Sequence, residues 1–185
     1  MPSELSGASP FPDVAHPPLA PLVDVIARLE RAGLKCALGG SARLAHLQLI
    51  REVHDWDVTA EADLAGIRAA LGGLPGEEFG ESGAHADHKL TLAGMDVEVI
   101  ARLAFRTARG ICRIPTRISA RVQGIPMASP ECWAVAYALL ERADKAELLF
   151  GYLESHGAER EASEAILAQP LPDPLAARLR RLHFK

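Results

Sequence analysis

The sequence predicts an α/β (α+β) fold, in which a small mixed sheet is flanked by helices and followed by a helical C-terminal part. First, a segment with helical spacing precedes a short apolar strand that runs directly into Gly39-Gly40-Ser41. Second, residues 54–59, 88–92 and 95–100 alternate polar with apolar side chains, as strands with one buried face do. Third, the pattern from Ser129 onwards is helical in pieces.

The first elements surround the glycine pair. Apolar residues recur at helical spacing over residues 22–32, Pro21 suits a first-turn position and Gly33 supplies a stop, which together predict a helix. Residues 35–38 are typical of a short strand, and the apolar pattern over residues 44–49 predicts a second, short helix. The order is therefore strand, glycine turn, helix.

The middle of the chain continues with strands. His54 to Thr59 predicts a strand with Asp55 and Asp57 on one face. A helix over residues 61–71 follows, with Thr59 as its cap and Gly72-Gly73 as its terminator.

The remaining elements are a hairpin, irregular strands and helices. Residues 88–92 and 95–100 are separated by Ala93-Gly94, which predicts the hairpin. Residues 111–127 predict one or two irregular strands, and Ser129-Pro130-Glu131 is typical of a helix start.

The 185 residues suffice for one catalytic unit with a small helical appendage. We expect a flexible lead-in over residues 1–18, an α/β domain over 19–125 and a helical C-terminal region over 126–185. The lead-in is rich in Pro, Ser and Gly and lacks the features of a signal peptide. A cytoplasmic location is expected from the cysteines, which are typical of buried thiols in a reducing compartment.

Composition excludes several classes of protein. The formal net charge of -4 argues against a dedicated nucleic-acid binder, and no apolar run is long enough to span a bilayer. The cysteines, Cys36, Cys112 and Cys132, are odd in number and widely spaced, which indicates buried thiols rather than disulfides or a zinc site.

Paired carboxylates point to chemistry with a divalent cation. Residues two apart on one strand face can hold a hard cation from two sides, and Asp55 and Asp57 have this spacing. Mg²⁺ typically takes one or two carboxylates together with water and phosphate oxygens, which connects the pair with a nucleoside triphosphate. Asp96 and Glu98 share one face of a later strand, and strand alternation alone leaves either of them as a third acid.

The glycine turn predicts a phosphate site. Gly39 and Gly40 permit close backbone approach to an anion, and Ser41 adds a hydroxyl at the start of a helix. Lys89, at the start of a strand, and Arg51, ahead of the aspartates, are further candidates to neutralise phosphate charge.

These motifs resemble the nucleotidyltransferase superfamily related to DNA polymerase beta, and most closely its abortive-infection toxin branch. Gly39-Gly40-Ser41-Ala42, His46, Arg51 and Asp55-Trp56-Asp57 occur in the order found in that branch. A second similarity covers residues 124–153, where Arg142-Ala143-Asp144-Lys145 resembles a helical segment that approaches the nucleotide.

The resemblance implies a reaction and a set of roles. It implies Mg²⁺ (or Mn²⁺), an NTP donor, and transfer of a nucleoside monophosphate to an acceptor hydroxyl on a tRNA, a protein or a small molecule. Asp55 and Asp57 would be metal ligands. The family's spacing selects Glu98 as third ligand and as base, and Arg142 and Lys145 would contact the nucleotide.

Two other functions remain open. The first is a non-catalytic relative that acts as a regulatory or toxin-antitoxin partner, because the lysine usual in the family is absent from residues 132–140. The second is a metal-dependent phosphohydrolase, suggested by His54-Asp55. His85-Ala86-Asp87-His88 has enough donors for a metal, but we interpret it as a polar loop leading into a strand.

Overall fold

In the computed structural model, residues 9–185 are described. The helices are α1 Leu19–Arg31, α2 Gly40–His46, α3 Leu64–Leu71, α4 Pro130–Leu139, α5 Ala143–His156, α6 Arg160–Leu167 and α7 Asp173–Arg180. The strands are β1 Cys36–Leu38, β2 Trp56–Ala60, β3 Gly76–Phe79, β4 His88–Leu92, β5 Val97–Ala101, β6 Ala104–Thr107, β7 Gly110–Arg113, β8 Ile118–Val122 and β9 Ile125–Ala128. The α/β class predicted from the sequence is confirmed.

The main sheet is mixed. Its seven strands have the order β3-β4-β5-β2-β1-β9-β8, and β6 and β7 form a separate two-stranded sheet. Strand β2 runs antiparallel to β1 but parallel to β5, and β1 runs parallel to β9. The pairing of β4 with β5 is the hairpin predicted from the sequence.

Apolar clusters cover both faces of this sheet. One contains the buried faces of α1 and α3 together with Val58 and Val99 from the central strands. The other contains Ile100, Phe105 and most of α4 and α5. Since this second cluster combines strand residues with the C-terminal helices, those helices cover one face of the sheet, and the boundary expected at residues 125 and 126 stays a prediction.

The start of the described chain is packed rather than loose. Phe11 is 1% exposed and lies against Trp56, with ring centroids 5.3 Å apart. The backbone of Ala15 pairs with that of Glu52, and the indole of Trp56 donates a hydrogen bond to the carbonyl of Pro18. Residues 9–18 thus differ from the expected flexible lead-in, and the rest of that prediction lies outside the described residues.

Two local predictions need correction. The cap of α3 is Asp63, whose carboxylate accepts from the amide of Gly66, whereas Thr59 lies buried inside β2 and donates to the carbonyl of Ala37. Strands β3 and β6 are absent from the sequence-based prediction. For β3 the reason is that this mostly exposed edge strand shows no polar-apolar alternation. The predicted start of α4 is confirmed: the Ser129 side chain accepts from the amide of Cys132.

No helix in residues 9–185 is long and apolar enough to cross a membrane.

Candidate active site

The parallel pairing of β2 with β5 brings two acids side by side. Asp57 lies directly opposite Glu98 in the register of these strands. Trp56 and Val58, which flank Asp57, are fully buried on the other face, so alternation directs the half-buried Asp57 side chain away from the α1 side. The sequence predicts that Asp55 lies in the strand. In the structure it precedes β2, in an exposed bend.

The glycine turn is packed tightly against Asp57. The amide of Gly39 donates to the carbonyl of Asp57 over 2.8 Å, which joins the turn to β2. Gly40 has φ +56, and a Cβ on it would lie 1.8 Å from Oδ2 of Asp57. A Cβ on Gly39 would lie 2.0 Å from the indole of Trp133. Both positions therefore require glycine for close approach, and Gly40 also requires it for its left-handed backbone.

A cavity of about 220 Å³ collects most of the sequence-predicted site residues. Its polar and charged lining includes Ser41, Asp55, Asp57, Lys89, Glu98, Arg142 and Lys145. The rest of the lining comes from His85 and from apolar and aromatic side chains, Ile100, Leu103, Phe105, Trp133, Tyr137 and Leu140. The cavity thus has carboxylates from the central strands β2 and β5 on one side and a largely apolar wall on the other.

Four of the predicted residues lie outside this lining: Gly39 and Gly40, which pack beside it against Trp133 and Asp57, and Asp96 and Arg51, which lie elsewhere. Asp96 is exposed in the turn before β5, with φ +52, because β5 begins only at Val97. Its main-chain carbonyl accepts from the amide of Trp56, which is a structural contact. Arg51 lies in an exposed bend and its carbonyl accepts from the amide of Ala15. The structure therefore does not bring Asp96 or Arg51 to the cavity.

Charge accumulates at Asp57. Burial, followed by the nearby Asp55 and Glu98 carboxylates, raises the pKa of Asp57 to about 7, and Lys145 and Lys89 oppose this shift. Burial and the Asp57 charge also raise the pKa of Tyr137. Like charges held this close favour the uptake of a proton or a cation.

The cations of the cavity are held in different ways. Lys89 forms a 2.9 Å ion pair with Oε1 of Glu98, and the hydroxyl of Thr91 donates to the same oxygen over 3.1 Å. The ammonium group of Lys145 lies 5.4 Å from the centroid of the Tyr137 ring. Within residues 9–185, Lys145 has no carboxylate within 4.0 Å, so its charge is available to an anion in the cavity.

Behind the turn, α2 buries an arginine. Arg43 is 5% exposed, and its Nε and Nη1 have no hydrogen-bond partner in the described part of the chain. Burial lowers its pKa, while Tyr152, Glu131 and Glu159 oppose this effect. Glu131 is fully buried and accepts from the Ser129 hydroxyl and from the amide of Glu159. The charge of Glu131 thus lies near the buried guanidinium of Arg43, without a hydrogen bond from its Nε or Nη1.

The donors fit a hard cation, although they are not gathered as a finished coordination site. Within residues 9–185, no three His, Cys, Asp or Glu side chains are grouped as a metal site. Asp55 and Asp57 nevertheless line one cavity, and the raised pKa of Asp57 reflects its burial first and then the negative charge of Asp55 and Glu98. Two carboxylates are sufficient protein ligands for Mg²⁺, which completes its shell with water and phosphate oxygens.

Sequence reasoning missed part of the cavity. Trp133 and Tyr137 were assigned only to a helix, and Phe105 to no element at all. The apolar pattern of α4 gives no signal of function, because eight of its ten residues are buried. His85 had a signal in its polar neighbours, but that signal also describes an ordinary loop.

Comparison with solved structures shows that the chain has the fold of nucleotidyltransferases. One similar structure is a Thermotoga maritima protein provisionally named a nucleotidyltransferase, with a TM-score of 0.51, 24% identity, and coverage of 73% of this chain and 91% of that one. Another is the antibiotic-resistance factor ANT(2'')-Ia, with a TM-score of 0.53, 16% identity, and coverage of 88% of this chain and 90% of that one. No protein-family model and no curated protein matches the chain.

Proposed function

We propose that this protein is a magnesium-dependent nucleotidyltransferase that moves a nucleoside monophosphate from an NTP to an acceptor hydroxyl, releasing pyrophosphate. The observation that carries the proposal is the single cavity in which Asp55, Asp57 and Glu98 meet Lys89 and Lys145. Such a site needs both carboxylates that hold a metal ion and positively charged side chains that neutralise phosphate. The fold shared with two nucleotidyltransferases supports the same class of reaction.

Each group has a defined role in this proposal. Asp55 and Asp57 would hold Mg²⁺ or Mn²⁺, with Glu98 as a third ligand. The bound ion would supply Lewis-acid polarisation of the phosphate and neutralise charge on the pyrophosphate. Lys145 and Arg142 would bind the triphosphate from the α5 side.

The glycine turn would contribute backbone donors to the phosphates. Since α2 begins at Gly40, the first amides of the helix have no partners within the helix. Ser41 lines the cavity and would add its hydroxyl. The tight fit of Gly40 over Asp57 would keep these donors next to the metal-binding carboxylates.

The position of Lys145 bears on the non-catalytic alternative. Helix α4 and its C-cap contribute Trp133, Tyr137 and Leu140 to the cavity lining, and none of these is a cation. A cation is supplied one helix later, by Lys145, which rests over the ring of Tyr137. A scaffold that only binds a protein partner has no need for this arrangement, so we favour the enzyme over a regulatory or toxin-antitoxin partner.

For the acceptor, we favour a small molecule over tRNA or protein. The net charge of -4 and the paucity of aromatic residues, at 5% of the chain, argue against an extended RNA surface. The fold shared with an antibiotic-resistance factor supports a small acceptor. The resemblance to the abortive-infection toxins rests on the order of motifs alone.

A thermal-shift titration tests the donor site. Wild type is titrated with ATP, GTP, CTP and UTP, each with and without Mg²⁺, beside Asp57→Asn and the matched control Asp96→Asn. A ligand at about 100 times its Kd stabilises the native state by about 2.7 kcal/mol, or about 5–10 °C in a chain of this size. We expect a magnesium-dependent shift in wild type and Asp96→Asn only. A shift that persists in Asp57→Asn would contradict the proposed site.

A further inference from the structure

The segment before β4 is pinned to the second sheet by its backbone. His85 pairs with Ser82 and with Phe105, in two isolated bridges. The amide of Ala86 donates to the carbonyl of Ala104 over 2.9 Å, and the amide of Arg106 donates to the carbonyl of Ala84 over 2.7 Å. His85 is therefore held like a strand residue, although the sequence predicts a polar loop.

The side chain of His85 is oriented from two sides. Its Nδ1 lies 3.0 Å from Oδ1 of Asp87, and its ring packs against Phe105 with centroids 5.4 Å apart. Asp87 is only 5% exposed, and burial raises its pKa. Because a carboxylate accepts, we assign the donated proton to Nδ1. Nε2 then carries the lone pair, and it has no hydrogen-bond partner in residues 9–185.

The imidazole shares its cavity with the acids proposed to hold the metal. His85 lines this cavity together with Asp55, Asp57 and Glu98. Glu98, which the family resemblance selects as base, already accepts from Lys89 and Thr91 at Oε1. A proton delivered to that oxygen would break the ion pair. An imidazole with an oriented ring and a free nitrogen has no such obstacle.

We propose that His85 is the general base of this enzyme and that Asp87 is the positioning residue that fixes its ring; this rests on the proposed nucleotidyl transfer. The proton of the acceptor hydroxyl passes to Nε2 of His85. The acceptor oxygen forms a bond to the α-phosphorus, and the bond from that phosphorus to the oxygen bridging to the β-phosphate breaks. Pyrophosphate leaves with the electron pair, and the protonated imidazole is stabilised by Asp87.

Charged groups approach His85 from several elements. Asp87 belongs to its own segment, Lys89 to β4 and Glu98 to β5, while Asp57 and Lys145 line the cavity from β2 and α5. A pH profile alone would combine all of these ionisations. The decisive test therefore uses variants and chemical rescue.

The experiment measures pyrophosphate release from an equimolar mixture of ATP, GTP, CTP and UTP with Mg²⁺, with water as the acceptor. We compare wild type with His85→Gln, His85→Gly, Asp87→Asn and the control His88→Gln, whose side chain is exposed and outside the cavity lining. General base catalysis is worth about 10²–10⁴-fold, so His85→Gln should lose that much. Added imidazole should restore release to His85→Gly but not to His85→Gln, where the longer side chain fills the site.

The outcomes separate this proposal from the proposed function. If His85→Gln keeps the magnesium-dependent thermal shift with NTP and loses release, and imidazole rescues His85→Gly, the base is identified. If His85→Gln releases pyrophosphate at the wild-type rate while Asp57→Asn does not, the base assignment is overturned and nucleotidyl transfer stands. If His85→Gly loses pyrophosphate release and added imidazole does not restore it, the base assignment is also overturned. If wild type shows neither shift nor release, the proposed function fails, and the base role fails with it.

Discussion

The ionisation of Asp57 should make the stability of this protein depend on pH. Its pKa rises from 3.8 to about 7, first because of burial and then because of Asp55 and Glu98. A folded-state pKa above the unfolded value means that the folded protein binds the proton more tightly. The contribution of Asp57 to stability is therefore fully present below about pH 4 and is lost as the pH rises towards 7, at about 1.36 kcal/mol per pH unit.

Replacement of Asp57 by Asn removes this dependence, since the amide does not titrate. Without metal, the stability of Asp57→Asn relative to wild type should increase by about 2–3 kcal/mol between about pH 5 and about pH 8. The value corresponds to about two pH units, from about pH 5 to about pH 7, over which Asp57 is ionised in the unfolded chain but not in the folded protein. The measurement is urea denaturation of both proteins in EDTA at the two pH values, with the free energy of unfolding taken by linear extrapolation.

The control is Asp96→Asn, because Asp96 is exposed and lies outside the cavity lining. This variant removes one exposed acid and leaves the acids of the cavity in place. If pH changes the stability of Asp57→Asn relative to wild type no more than it changes that of Asp96→Asn, the raised pKa of Asp57 is refuted. A separate expectation concerns the metal ion. Millimolar Mg²⁺ at the higher pH should stabilise wild type and leave Asp57→Asn unchanged, since only wild type keeps both carboxylates.

Three further variants test other parts of the site. Gly40→Ala places a Cβ 1.8 Å from Oδ2 of Asp57 in a left-handed backbone, so we expect a loss of a few kcal/mol in urea denaturation and no magnesium-dependent nucleotide shift. Glu131→Ala removes the acceptor of the Ser129 hydroxyl and of the Glu159 amide, together with one negative charge near the buried Arg43, and should cost about 1–3 kcal/mol in the same assay. Lys145→Met keeps the metal-binding carboxylates and removes a phosphate-binding charge, so the apparent Kd for NTP should rise about 10-fold or more while stability changes by less than about 1 kcal/mol.

Each of these variants has an internal comparison. Gly33→Ala also places alanine at a left-handed glycine, φ +73, but with no atom within 4 Å, so it isolates backbone strain from the clash at Asp57. Glu131→Gln keeps the volume and two polar atoms, and it should cost less than Glu131→Ala. For Lys145, the matched charge removal is Lys35→Met, which lies outside the cavity lining and should leave NTP affinity unchanged. If Lys145→Met and Lys35→Met change the Kd for NTP equally, the role given to Lys145 is contradicted.

Local patterns were sufficient where the sequence signal is periodic or chemically specific. The hairpin of β4 and β5 was predicted from alternation, and the start of α4 from Ser129 and Pro130. Edge strand β3 could not be predicted from the sequence, because its residues are mostly exposed and need not alternate between polar and apolar. The placement of Asp96 failed because a tight turn with φ +52 shortens the strand, and local periodicity does not show where a turn takes over.

Sequence by itself determined the types of group that this site contains: closely spaced acids, a glycine pair at the end of a strand, and lysines some distance along the chain. These follow from residue identity and from periods of two and 3.6, which are local properties. Only the tertiary structure decided which groups meet. The parallel register of β2 and β5 selects Glu98 over Asp96, packing against Asp57 explains Gly40, and pairing with the second sheet turns His85 towards the cavity. Such choices depend on contacts between distant segments, which no local pattern contains.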